Sequence, residues 1–244
     1  MIKNNIIAVT PVYNGRKHIQ RFIEKNYDTV DGFVFLDDGC TDGTFDQILT
    51  CDKVLAVYTR EKNSGFNDFD NRQLILDYVL KDETFIETHS PEWYVWLDVD
   101  EVIHPSFSIG ANLDRKVIRF PLVHLWNDDE HYNTEYPASR NGIQYKDRGF
   151  KANSNLWAGL QLLNLPNKNL HFNLIPYLYD RNDIIDVDTT VILHYANVDK
   201  EERERRYKRY KEIDKDGNNL GFGYKHLLND NPKVEHISTL INKN

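Results

Sequence analysis

Cysteine is nearly absent from this chain: two occur in 244 residues, Cys40 and Cys51. Two isolated thiols build neither a disulfide framework nor a zinc-ligand spacing, and reduced cysteines in a cytoplasmic protein are expected. Long apolar runs are missing as well. No window approaches about 18 apolar residues, so no membrane-spanning helix is expected, while peripheral association through a partner stays open. The opening stretch "MIKNNIIAVTPVYN" is too short in its apolar part for a signal peptide, and Pro11 interrupts it. Positive charge is not in excess either. Thirty Lys and Arg against 38 Asp and Glu leave a net charge of −8. That argues against broad attraction to nucleic acid or anionic membrane, although a local basic groove would survive it. With no repeat, low-complexity tract or obvious linker, one domain over 1–244 is the simpler expectation. An apolar content of 40% with 12% aromatics is that of a folded globular chain long enough for a substantial core.

What is there is an alternation. Ile6 to Val12 reads as a strand, apolar enough to be buried on both faces. Ile19, Phe22 and Ile23 then fall on one helical face. A second strand runs from Phe33 to Leu36, and a short helix near Leu49 has Thr41 or Asp42 as its candidate cap. A third strand spans Val54 to Tyr58. Phe69, Leu76, Val79 and Leu80 mark a helix from about Asp68 to Leu80. The fourth strand is Trp93 to Leu97. Strand, helix, strand in this order implies a parallel sheet covered by helices. After Val102 the pattern loosens. Val117 to Val123, Asn169 to Tyr179 and Thr190 to Tyr195 are further strand candidates. "HLWNDDEHYNTEYPASRNG" reads as a long loop, and "NVDKEERERRYKRYKEIDKDG" as a helix capped by Asn197 or Asp199, with pairs such as Glu201 and Arg205 on its surface.

Acidic residues gather where the strands stop. "FLDDGCTDGT" places Asp37, Asp38 and Asp42 after the second strand, and "WLDVDEV" places Asp98, Asp100 and Glu101 after the fourth. In open parallel sheets ligands bind beyond the carboxyl ends of the strands. Two carboxylates held together repel each other, and a divalent cation removes the conflict. Oxygen ligands suit Mg2+ or Mn2+, which often bridge carboxylates to substrate phosphates. By itself a D-x-D reads first as a solvated acidic turn.

In combination, "VTPVYNG", "FLDDGCTDGT", "REKNSGFNDFDNRQ", "WLDVDEV" and "VILHYANVDKEERERRYKRY" resemble the GT-A-fold glycosyltransferases, close to the family-2 type. The resemblance implies a Rossmann-like, mostly parallel sheet flanked by helices. Residues 1–105 would be the nucleotide-sugar-binding half and 106–244 the acceptor-side half. It implies a metal-dependent enzyme, using Mn2+ or Mg2+, that moves a sugar from a nucleotide-diphosphate sugar to a hydroxyl acceptor such as a glycan, with UDP the expected nucleotide. A nucleic-acid acceptor is less expected from the acidic balance. Thr10, Pro11 and Tyr13 would line the nucleotide pocket, Tyr13 near the base, or Tyr13 would pack on the first helix. Asp38, with Asp37 beside it, would bind base or ribose, or serve the turn. Asn63, Gly65 and Arg72 would sit near the diphosphate or donor sugar, unless Arg72 is a surface residue. Asp98 and Asp100 would hold the metal with His194, which is otherwise a core histidine. Glu101 would contact the donor sugar. Asp128 and Asp129 are the preferred candidates for a general base, with Glu130 and Asp147 as others. Trp126, Tyr132, Trp157 and His171 could form an acceptor platform or be core. Arg205, Arg206 and Lys208 could add charge at the diphosphate or lie in solvent.

Three other readings compete. A haloacid-dehalogenase-like phosphatase would use Asp98 as nucleophile, but that motif comes early in such chains and leaves "DDGCTDGT" unexplained. A nucleotidyltransferase would need a Gly-rich, Arg-containing loop after the first strand. A non-catalytic carbohydrate- or nucleotide-binding module is the alternative outside enzymes.

Overall fold

The computed structural model describes residues 5–60, 68–105, 114–152, 174–175, 179–214 and 223–241. Along the chain they form β1 (Ile6–Val12), α1 (Arg16–Asn26), β2 (Gly32–Asp37), α2 (Thr44–Ile48), β3 (Val54–Thr59), α3 (Asp68–Lys81), α4 (Glu83–His89) and β4 (Trp93–Trp96). Then follow β5 (Glu101–His104), β6 (Val117–His124), β7 (His131–Asn133), β8 (Ile143–Lys151), β9 (Ile184–Asp186), β10 (Val191–His194), α5 (Lys200–Ile213), β11 (Val234–His236) and α6 (Ser238–Ile241). The architecture is mixed α/β. Two compact units emerge: Met1–Asp100 with Ser106–Arg119 and Asp147–Asp186, and Glu101–Pro105 with Phe120–Lys146 and Val187–Asn244. No helix among the described residues is long and apolar enough to cross a membrane.

The first unit carries the expected alternation. Its strands lie in the order β3-β2-β1-β4, all parallel. Successive side chains point to opposite faces of a strand. Ile7, Val9, Val34 and Leu36 therefore share one cluster with Ile75, Leu76 and Val79 of α3. Phe33 and Phe35 face the other way and meet Phe22 of α1, with ring centroids 5.7 and 6.0 Å apart. Burying each such ring contributes about 1.5–3 kcal/mol, which is why α1 seats on that face. Both faces being covered, β1 and β2 read as nearly unbroken apolar runs.

Two elements here have weak sequence signals. Helix α4 is capped by Asp82, whose carboxylate accepts from Phe85 N at 3.0 Å. Strand β8 runs antiparallel to β4, with Trp93 opposite Lys151 and Val95 opposite Gly149. Its segment "IQYKDRGFK" has no clean alternation.

In the second unit β10 lies between β6, parallel to it, and β5, antiparallel. Val102, Val123, Leu125, Val191 and Leu193 form its core with Tyr132 and Tyr195. The expected loop at 124–142 contains β7, which pairs with β11. Asp199, not Asn197, caps α5, accepting from Glu201 N at 2.8 Å and Glu202 N at 3.3 Å. The surface pair on α5 is Arg205 with Glu202 rather than Glu201. Most of the strand candidate at Asn169 to Tyr179 lies outside the described residues.

Candidate active site

The loops after β1 and β2 are stitched to each other. Asn14, at φ +49°, accepts from Thr41 N at 2.8 Å through Oδ1. Asp42 accepts from Arg16 N through one oxygen and from Thr44 N through the other, each at 3.0 Å. One carboxylate thus serves the first turns of both α1 and α2, and neither Asp42 nor Thr41 is itself the cap of α2, a position held by Gly43 in the left-handed region at φ +85°. Asp37 accepts from Cys40 N at 2.7 Å. Burial pushes the Cys40 thiol up to about 12, so it is no nucleophile near neutral pH. Of the three acidic residues at the end of β2 and in the loop beyond it, Asp37 and Asp42 therefore hold the turn. Asp38 reaches across to α3, where Asn71 Nδ2 donates to it at 2.8 Å and Arg60 in turn donates to Asn71 Oδ1.

The D-x-D follows β4. Its middle residue, Val99, turns inward: a Cβ on Gly15 would stand 3.3 Å from Val99 Cγ2 and 2.8 Å from Val12 Cγ2. The missing side chain at Gly15 is what lets Val99 settle against the end of β1, with Asp98 and Asp100 on either side of it. We predict that Gly15→Ala lowers stability by about 1–3 kcal/mol through overpacking. Urea unfolding measures this, and an unchanged midpoint would contradict the contact.

Asp98 is held by two guanidiniums. Arg72 donates from Nη2 to Oδ1, and Arg148 Nη2 stands 3.8 Å from Oδ2. Arg72 also donates from Nε to Asp68 at 2.9 Å and lies 5.5 Å from the Trp96 ring centroid. Both arginines are nearly buried, at 5% and 8% exposure, so Arg72 is no surface residue. Burial pushes the Asp98 carboxyl up, but the Arg72 and Arg148 guanidiniums outweigh it and hold the group below the usual carboxylate range. At Asp68 burial prevails over Arg72 and the carboxyl is pushed up. Thr10 is buried in β1, its Oγ1 without a hydrogen-bond partner among the described residues; Pro11 is half-buried, and Tyr13 is 40% exposed. Asn63, Gly65, Trp157 and His171 lie outside the described residues.

In the second unit the register β5–β10–β6 sets Glu101, His194 and His124 side by side. Glu101 is 1% exposed. The His194 and His124 Nδ1 atoms are 2.7 Å apart. Burial, reinforced by His194, pulls His124 well below the ordinary histidine value. Asp128 accepts from Glu130 N, His131 N and His131 Nδ1 at 2.8 to 3.0 Å. Burial pushes its carboxyl up, but those bonds together outweigh it and lower it, which makes Asp128 a turn-former and a weak base. Asp129 and Glu130 are exposed.

Several expectations are corrected. Trp126 and Tyr132 are both core residues at 1% exposure, not a sugar platform. Trp126 donates to Asn229 O at 3.1 Å, and the buried Arg203 guanidinium lies 4.7 Å from its ring. Asp147, in the first unit, is gripped by Arg119, with one contact at 2.9 Å, and by Tyr179. Its oxygens are committed to structure. Arg206 is half-buried and held by Asn197 and Tyr210, whereas Arg205, paired with Glu202, and Lys208 lie on the solvent side of α5, the second of the two expected readings. Residues not anticipated are Asn71, Arg60, Arg148, His124 and Asn197. Asn71 stands next to Arg72 in "DFDNRQ". His124 ends the apolar run "VIRFPLVH" just as His194 ends "VILH", a parallel that could have drawn notice.

Asp98 and Asp100 of the first unit carry oxygens of the kind Mn2+ and Mg2+ accept, and the ionised Asp98 suits that chemistry. Among the described residues no three His, Cys, Asp or Glu side chains are grouped to hold a metal ion. A cation shared between one or two carboxylates and substrate phosphates needs no such group.

No protein-family model matches the chain, and no curated protein does. Among solved structures it is similar to the crystal structure of a glycosyltransferase involved in the glycosylation of the major capsid of PBCV-1, at 12% identity and a TM-score of 0.35, over 84% of this chain and 98% of that one.

Proposed function

We propose that this chain is a metal-dependent glycosyltransferase of the GT-A type, moving a sugar from a nucleoside diphosphate sugar, first of all a UDP-sugar, to a hydroxyl acceptor such as a glycan. The observation that carries the proposal is the Arg72–Asp98–Arg148 clamp beside Asp38, at the carboxyl ends of four parallel strands. Ligands bind at that edge of an open parallel sheet. Guanidinium forks match phosphate oxygens, and two of them nearly buried at one point suit a diphosphate. Asp98 keeps them neutralised before a donor arrives.

The roles follow from the chemistry. Cleaving the sugar–phosphate bond leaves negative charge on the departing diphosphate, and fixed positive charge there lowers the barrier. Arg72 and Arg148 supply it. Asp38, oriented by Asn71, accepts hydrogen bonds from base or ribose, and Tyr13 offers the base a stacking face at the rim. Asp98 and Asp100 would hold a cation, and the family-2 resemblance adds His194. Such a cation supplies further charge neutralisation at the leaving oxygen. Glu101 is proposed to contact the donor sugar. A base must take the acceptor proton if configuration inverts. With Asp128 tied into its turn, Asp129 is the better candidate.

The phosphatase reading is the weaker one. Three strands come before β4, which leads into Asp98, whereas that motif comes early in such chains, and the acidic loop after β2 stays unexplained. A panel of sugar nucleotides with Mn2+, assayed for nucleotide release beside p-nitrophenyl phosphate, separates the classes. The expected result is cation-dependent release of UDP from at least one UDP-sugar. Ester cleavage without donor turnover would reverse the assignment, and UDP binding without any turnover would indicate a binding module.

A further inference from the structure

We infer that Arg206, Asn197 and His124 form a positioning chain that places the proton of His194 on Nδ1 and so makes Nε2 the electron-pair donor of that ring. Its value to catalysis rests on the glycosyltransferase reading, in which His194 meets the cation; the proton placement itself does not.

The starting point is the pair of imidazoles. β6 and β10 run parallel with His124 and His194 in register. Their Nδ1 atoms are 2.7 Å apart, and the rings are nearly perpendicular, at 86°. At that separation one nitrogen donates and the other accepts. Each neutral ring has one of each kind, so settling His124 settles His194.

Two amides settle His124. Gln144 donates from Nε2 to Pro137 O at 3.0 Å, which turns its Oε1 toward His124 Nε2, 3.4 Å away. Asn197 accepts through Oδ1 from Arg206 Nη1 at 2.9 Å, which turns its Nδ2 toward His124 Nδ1, also at 3.4 Å. Neither amide can be reversed without loss. A carbonyl only accepts and a guanidinium only donates, so each anchors its amide in one sense. His124 is thereby met by an acceptor at Nε2 and a donor at Nδ1. Its proton belongs on Nε2 and its lone pair on Nδ1. His194 must then donate from Nδ1, and its own lone pair lies on Nε2.

The ring of His124 is also held in plane. Tyr136 stacks on it with centroids 3.5 Å apart and planes 14° apart, and the Tyr136 hydroxyl is paired with His226 Nε2 at 3.2 Å. Asn197 is fully buried, and both histidines are buried. A hydrogen bond to the far nitrogen is how a protein selects which imidazole nitrogen meets a metal. Here that far-side bond comes from a second histidine rather than a carboxylate.

Long-range proton–nitrogen correlation spectra of the 15N-labelled full chain, without metal at neutral pH, read the proton positions directly. In the wild type, His194 should show a protonated Nδ1 and a bare Nε2, and His124 the reverse. Asn197→Asp replaces the amide donor by an acceptor of the same shape while leaving Arg206 a partner. His124 then takes a proton on Nδ1, and that of His194 moves to Nε2. Gln144→Glu keeps an acceptor at His124 Nε2 and should retain the wild-type pattern. Titration of the wild type and the Asn197→Asp variant with Mn2+ in the presence of UDP should show a loss of affinity of about 10- to 100-fold. A wild-type His194 protonated on Nε2 overturns the inference, and this holds even if no variant folds. An Asn197→Asp chain whose His194 keeps the wild-type pattern overturns it too. A moved proton with undiminished manganese affinity overturns the positioning role. The expected spectra with no sugar nucleotide turned over by the wild type leave the inference standing and sink the glycosyltransferase reading instead.

Discussion

Asp100→Ala abolishes manganese-dependent binding of UDP, whereas Asp98→Ala loses that binding and, in addition, a substantial part of the stability of the chain. The two carboxylates of one D-x-D are thus expected to behave differently, and their surroundings say why. Asp100 contributes a like charge that pushes the Asp98 carboxyl upward, so its removal takes away repulsion along with a proposed cation ligand. Asp98 is the counter-charge of Arg72 and Arg148, whose side chains are 6% and 10% exposed. Without it, two nearly buried cations lose their shared partner. Breaking a fully buried pair costs about 3–5 kcal/mol. The Asp98 side chain is 36% exposed, and solvent screening lowers the figure to about 2–3 kcal/mol. Calorimetry with UDP and Mn2+ should show at least a hundredfold loss of affinity in Asp100→Ala, about 2.7 kcal/mol. Urea unfolding supplies the stabilities. An Asp100→Ala chain that binds as the wild type does removes the metal assignment, and an Asp98→Ala chain of wild-type stability removes the clamp.

Acid should unfold this protein through its buried histidines. Burial pulls His124 well below the ordinary value, and burial with the Arg206 charge pulls His226 to about 4. In the unfolded chain both titrate near 6.5. The unfolded state therefore binds more protons below that pH, and the stabilisation present above about 6.5 is lost as pH falls toward 4. Each histidine contributes a slope of about 1.4 kcal/mol per pH unit in that window, so between one and two protons should be taken up on unfolding. Urea midpoints measured across this range give the slope. His226→Asn should remove close to one proton from it. A flat profile between pH 6.5 and 4 means that neither ring is kept neutral by the fold.

The legible part of the molecule is the part made by local pattern. β1, β2 and β4 announce themselves because strands covered on both faces must be apolar throughout, and a turn follows each because charge and glycine cannot continue them. The acidic loops were visible for the same reason. α4 was less so, being short with only Phe85 buried. β8 was hidden because half of its residues face solvent or carry charge within a sheet. Trp126 and Tyr132 show the limit from the other side. An aromatic residue in a polar segment reads equally as a sugar platform or as core, and only burial separates the two.

The amino-acid sequence by itself determined where the strands of the first unit end, and that Asp38, Asp98 and Asp100 stand near those ends. Tertiary structure decided what each of them does. It brought Arg148 from an antiparallel strand onto Asp98, gave Asp37 and Asp42 to the turn, and set His124 beside His194. The physical reason is one of range. Apolar periodicity and turn chemistry act over neighbouring residues and are written in their order, whereas a charge or a proton finds its partner through space, where distance along the chain carries no information.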